Sequence, residues 1–88
     1  MEFEWDPNKA TSNLRKHDVS FPTATRVFLD DLVLEISEQD FGDEMRYAVV
    51  GMVDDRLLHV TYTMRDDRFR IISARAAEPY ERRLTHEI

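Results

Sequence analysis

The chain has 88 residues, 42% of them hydrophobic, with a net charge of −6 and no cysteine. That suffices for one small folded domain, spanning 1–88, and excludes disorder, a disulfide framework and a thiolate metal site. With no membrane-length apolar run and no signal peptide at the N-terminus, the expectation is a cytoplasmic protein with no membrane contact.

Phe3 to Trp5 reads as a short edge strand. Asp6-Pro7 starts a helix running roughly to Lys16, because Asp caps free amides and Pro suits the first helical position. Ala10, Leu14 and His17 fall on one face of it. Ser20 caps a second short helix with Pro22 near its start and Ala24, Val27 and Phe28 as its buried stripe. Leu32 to Glu38 alternates as a strand, and Gln39 to Glu44 turns at Gly42. Met45 to Val53, Arg56 to Arg65 and Arg68 to Ala77 are three more strands, joined at Asp54-Asp55 and Asp66-Asp67. Pro79 to Glu87 is a final charged helix.

This order, β-α-α-β-β-β-β-α, implies an α+β fold with an antiparallel meander and helices on one face. Two-residue turns fix the pairing. Met64 then meets Phe69, Tyr62 meets Ile71, Thr63 meets Arg70, Val49 meets Val60 and Tyr47 meets Tyr62. A turn centred on Phe41-Gly42 pairs Ile36 with Tyr47 and Leu34 with Val49, which puts Leu34 and Ile36 on the shared core face. Arg75 falls on that face too, where Glu4 or Asp6 can pair with it.

On the opposite face Arg46, Thr63 and Arg70 become lateral neighbours, Arg65 and Arg68 lie one step along, and Glu35 and Ser37 flank Arg46. Like charges side by side destabilise a sheet, so the clustering suits an anion site. The net charge argues against a general nucleic-acid binder, yet screening over about 8 Å lets an acidic domain hold a phosphate locally. Val50, Met52, Leu57, Ile72 and Ala74 continue the face as an apolar patch that nothing else in the chain is left to cover; such patches mark interfaces. The three histidines have no metal-ligand spacing, and no cofactor is expected.

Several stretches resemble the BrnT toxin family. Phe3-Glu4-Trp5-Asp6, Lys9, Asn13, Lys16-His17, Val19 and Phe21 look like its N-terminal signature. Asp40-Phe41-Gly42, Glu44 and Arg46 look like its middle motif, and Tyr62-Thr63, Arg65 and Arg70-Ile71-Ile72-Ser73-Ala74-Arg75 like its C-terminal one. The resemblance covers Phe3 to about Arg83. It implies a RelE/ParE-like fold and a type II toxin–antitoxin ribonuclease that stops translation. It also implies a BrnA-like antitoxin that neutralises the toxin, dimerises to give a heterotetramer and alone contacts operator DNA. The chain departs from the family at Ala76, where a Lys usually follows the Arg, and in its less basic final helix.

RNA cleavage without metal needs a base, cations for the phosphorane and an acid. Arg46, Arg65 and Arg70 suit the cationic role, or are surface arginines paired with Glu35, Asp66 or Asp67. His17 is the acid or base, or simply a helix-end histidine. Lys9, Lys16, Arg68, Arg75 and Trp5 are expected RNA contacts, against solvated lysines, a structural ion pair for Arg75 and packing for Trp5. Tyr62 belongs to the core. Val50, Met52, Leu57, His59 and Ile72 are the expected antitoxin contacts, suited to an acidic or amphipathic helix. Two other readings stay open: a module that only binds antitoxin, favoured by Ala76 and the acidic charge, and a same-fold toxin aimed at another target such as gyrase.

Overall fold

The computed structural model describes residues 1–86. Strand β1 (Phe3–Trp5) leads into helix α1 (Pro7–His17), helix α2 (Phe21–Thr25) and a 3₁₀ turn (Arg26–Leu29). Strands β2 (Leu34–Asp40), β3 (Met45–Val53), β4 (Arg56–Arg65) and β5 (Arg68–Ala76) follow, then helix α3 (Pro79–His86). The fold is α+β, built on one five-stranded mixed sheet ordered β1-β5-β4-β3-β2, in which β1 runs parallel to β5. No described helix is long and apolar enough to cross a membrane.

Local chemistry explains the elements. The Asp6 carboxylate accepts from Asn8 N–H at 2.8 Å, with Pro7 opening α1. Ser20 accepts from Thr23 N–H at the start of α2. Asp66 and Asp67 both sit in the left-handed region, at φ 52° and 62°, which gives the β4–β5 hairpin its two-residue turn. Gly51 lets the 3₁₀ turn approach β3: a Cβ there would lie 2.5 Å from Val27 Cγ2.

The core lies between the sheet and α1, α2 and the 3₁₀ turn. Phe21, Ala24, Val27, Val49, Val53, Leu58, Val60, Ile71 and Ala74 are buried there. Phe3, Phe28, Phe69 and Tyr62 extend it as an aromatic cluster, and Tyr62 stacks on Tyr47 with ring centroids 5.4 Å apart.

Four expectations need correction. In α1 the buried positions are Ala10, in part, and Asn13, whereas Leu14 and His17 face solvent. The β2–β3 loop is four residues, closed by Phe41 N–H to Glu44 O, so Glu38 rather than Ile36 lies opposite Tyr47. A bulge at Ile36 then inverts the phase, so that Leu34 pairs with Val50, away from the core, and Glu35 pairs with Val49 instead of flanking Arg46.

A second bulge falls at Ile72. The predicted pairs hold from Met64 and Phe69 to Tyr62 and Ile71, but beyond it Thr61 meets Ser73 and His59 meets Arg75. Arg75 therefore leaves the core face, Ala74 joins the core, and Ile72 sits beside α1 instead of on the open face. Finally, the helices do not share one side. Helix α3 crosses to the open face, where its Glu81 is fully buried against Arg75 and His59.

Candidate active site and its surroundings

The basic end of the open face is built by three strands. Thr63 pairs with Arg70, and its hydroxyl donates to Met45 O at 2.6 Å, tying β4 to β3 beside Arg46. Arg65 pairs with Arg68 at the hairpin tip. Each of these arginines is held by a carboxylate. Glu44 receives Arg46 Nε at 3.0 Å and has Arg65 at 3.7 Å. Glu4 receives Arg70 at 2.6 Å and has Arg68 at 3.8 Å, and Arg68 also reaches Glu2 at 3.3 Å. The partners are thus Glu2, Glu4 and Glu44, not Glu35, Asp66 or Asp67. Arg46 further lies over the Phe41 ring, 4.7 Å from its centroid. Asp43, Glu44, Met45, Thr63 and Arg65 border an adjacent cleft of about 470 Å³.

A second polar cluster lies under α3. Arg75 makes a two-pronged bond to Glu81, at 2.8 and 2.9 Å, and Glu78 N–H donates to the same carboxylate at 2.8 Å. Burial pushes the Glu81 carboxyl up, but the Arg75 guanidinium and the Glu78 amide outweigh it and bring it to about 2. His59 Nε2 lies 3.6 Å from Glu81. Burial and the Arg75 charge hold His59 below its ordinary value against the opposing pull of Glu81, and its Nδ1 is buried without a hydrogen-bond partner.

A third depression runs between α1 and β5. Lys9, Ser12, Asn13, Lys16, His17, Ile72 and Ser73 line it. Among the described residues neither Lys9 nor Lys16 has a carboxylate within ion-pair distance. Its floor is set by Asn13, whose amide reaches Val19 O and both backbone groups of Ala74.

The expected site residues therefore separate into groups. Arg46, Arg65, Arg68 and Arg70 come together as expected. Lys9, Lys16 and His17 gather elsewhere, beside α1, with Ile72 among them. Arg75 is withdrawn into the ion pair with Glu81. Trp5 is half-buried and packs edge-on against Phe21, centroids 6.0 Å apart, so it is a packing residue. Val50 and Leu57, expected as exposed contacts, are buried with Ala77 and Ile36, and His59 is mostly covered; Met52 alone of that set stays open. Ala77, Ile36 and helix α3, which crosses to this side of the sheet, cover the part of the face expected to be open.

Two residues have structural roles that the sequence does not assign. Glu81 carries a signal: it lies three residues beyond Glu78, with Pro79 between, which is the spacing of a side chain reaching back to cap a helix start. Asn13 carries its place in the BrnT-like N-terminal signature and its spacing of three from Ala10.

Residues 5–81 match the family model described as the ribonuclease toxin BrnT of type II toxin–antitoxin systems. The chain belongs to the BrnT toxin family. A search of the curated proteins finds no match. The match takes in all the sheet arginines, α1 and Glu81, so the paired arginines lie within the part of the chain shared with BrnT toxins. A ribonuclease toxin of this type works against an antitoxin partner.

Proposed function

We propose that this BrnT-family chain is a metal-independent endoribonuclease with a RelE-like fold, acting in the cytoplasm as a single unit to inhibit translation. The observation that carries the reading is the group of four arginines at one end of the open face, aligned across three strands. Planar guanidinium groups bind two phosphate oxygens at once and keep their charge, as stabilising a phosphorane demands.

In this mechanism the ribose 2′-oxygen loses its proton to a base and attacks the adjacent phosphorus. The 5′-oxygen leaves and takes a proton, giving a cyclic phosphate and a free hydroxyl. Arg46, Arg65 and Arg70 exchange Glu44 and Glu4 for phosphate oxygens and hold the developing charge. Arg68 guides the strand. Lys9 and Lys16, whose charges are not spent on carboxylates, dock the RNA backbone in the depression beside α1 that His17 also lines. A BrnA-like antitoxin occludes these surfaces and dimerises, which gives a heterotetramer whose DNA contacts belong to the antitoxin.

The test is cleavage of one RNA in chelator, with and without ribosomes, by wild type, Arg46→Ala and Arg70→Ala. Cleavage by wild type, lost in both variants at unchanged thermal stability, is the expected result. Retained cleavage in both variants moves the site elsewhere. One observation favours a second reading. The carboxylates Glu2, Glu4 and Glu44 already neutralise most of the arginine charge, as they would in a module that binds antitoxin without cutting. That reading predicts antitoxin binding with no cleavage and no growth arrest. Arrest accompanied by DNA-damage signalling would instead point to a gyrase-type target.

A further inference from the structure

We infer that the antitoxin anchors on an apolar surface formed by Leu29, Leu32, Leu34 and Met52, through a segment whose apolar side chains are flanked by Lys or Arg. The inference rests on the family's dependence on an antitoxin. It concerns a surface separate from the arginines.

These four side chains are exposed by 78%, 76%, 39% and 37% of their surfaces, respectively. They are also contiguous. Met52 borders a depression of about 240 Å³ shared with Leu32, and a second of about 300 Å³ shared with Leu29. Leu34 pairs with Val50 on the same side of the sheet. Isolated exposed leucines need no explanation, but Leu29, Leu32 and Met52 around two adjoining hollows, with Leu34 beside them on the ladder, mark a binding surface.

The loop presenting them is pinned. The Asp30 carboxylate accepts Leu32 N–H at 3.0 Å and Met52 N–H at 2.7 Å, while Val33 N–H donates to Asp30 O. Leu29 and Leu32 are thus held in position before any partner arrives, which lowers the ordering cost of association.

The rim decides the chemistry of the partner. Asp31, Asp54 and Asp55 are exposed around the surface, and Arg26, bound to Asp54 at 2.9 Å, is the cation paired among them. A negative rim attracts cationic flanks and repels an acidic segment. This differs from the acidic helix that the arginine face would favour. Along β3 the six-residue step from Arg46 to Met52 spans about 20 Å, so anchoring and occlusion of the arginines fall to different parts of the antitoxin.

The test measures the affinity of the full-length toxin for the antitoxin encoded with it. It uses the Leu32→Glu/Met52→Glu double variant, with Arg46→Ala as control. Both changed positions are exposed, so thermal stability should match wild type. The expected result is at least a hundred-fold weaker binding by the double variant, with RNA cleavage as in wild type. An affinity within about threefold of wild type overturns the inference and leaves the ribonuclease reading untouched. Normal binding by a wild type that does not cleave RNA, lost in the double variant, sinks the ribonuclease reading and supports the anchor. Sedimentation of toxin alone covers the other occupant: a wild-type dimer broken by Leu32→Glu, with antitoxin affinity unchanged, assigns the surface to a second copy. Asp31→Asn/Asp55→Asn should flatten the salt dependence of association; unchanged salt dependence overturns the cationic-flank assignment.

Discussion

Asn13 bonds to both backbone groups of Ala74, sixty-one residues away: its Nδ2 donates to Ala74 O at 2.8 Å and its Oδ1 accepts from Ala74 N–H at 3.1 Å. Strand β1 pairs with β5 only as far as Ile71. The Asn13 amide takes over where that strand ends, so helix α1 supplies the hydrogen bonds a neighbouring strand would have given. Asn13→Ala leaves buried backbone groups unpaired and should cost about 3 kcal/mol, read from denaturant unfolding. A loss below about 0.5 kcal/mol would mean that water replaces the amide without penalty.

Glu81 anchors α3 through Arg75. Its folded value of about 2 lies below the ordinary 4.5, so its contribution to stability is present above pH 4.5 and is lost as pH falls towards 2. Glu81→Gln should remove much of that acid sensitivity and cost about 3 kcal/mol at neutral pH, since Arg75 then loses its counter-charge. Thermal melts at pH 7, 4 and 2.5 for both proteins check it.

His59 has the opposite chemistry and the same sign. Burial and Arg75 lower its folded value below 6.5, while Glu81 and Glu78 on α3 pull the other way. The unfolded chain therefore binds the extra proton first, and stability falls as pH drops below 6.5. His59→Gln should flatten the stability profile between pH 7 and 5. An unchanged slope there assigns the effect to other groups.

The β4–β5 turn holds two aspartates in the left-handed region, a conformation that costs a side-chain-bearing residue about 1 kcal/mol relative to glycine. Asp67→Gly should raise stability by about 1 kcal/mol without touching the arginine group. A loss of stability would show that Asp67 makes a contribution beyond the turn.

Glu44 competes with any phosphate for Arg46 and Arg65. Glu44→Gln should tighten binding of a non-cleavable RNA by about threefold, the scale of an exposed ion pair. Weaker binding would make Glu44 a positioning residue rather than a competitor.

The hairpins were legible where alternation and two-residue turns act together. Val49 meets Val60 and Tyr62 meets Ile71 as expected, because a slip of one would expose every core side chain. The phase was lost at Ile36 and Ile72, where an extra residue bulges from the ladder. Neither isoleucine differs in type from its neighbours, so composition carries no mark of the bulge. Just beyond Ile72, Asn13 holds Ala74, a contact across most of the chain that alternation cannot reveal. The arginine grouping survived because Arg46, Thr63 and Arg70 lie on the turn side of both bulges. The fate of Arg75, Val50 and Leu57 did not, because it depends on α3, whose charged sequence gives little sign of which face it covers. The carboxylate partners Glu4 and Glu44 lie on β1 and in the β2–β3 loop, distant in sequence from Arg70 or adjacent by loop geometry alone.

The extra residue at Ile72 also sets how this chain can change length. Because one residue here is surplus to the ladder, removing Ile72 would leave Tyr62 opposite Ile71 and Thr61 opposite Ser73, now as neighbours in a regular pairing. Val60 would still meet Ala74 and His59 would still meet Arg75, so Glu81 would keep its counter-ion and α3 its seat. The stretch thus holds one residue of slack, and shortening it there spares the sorting of inside from outside.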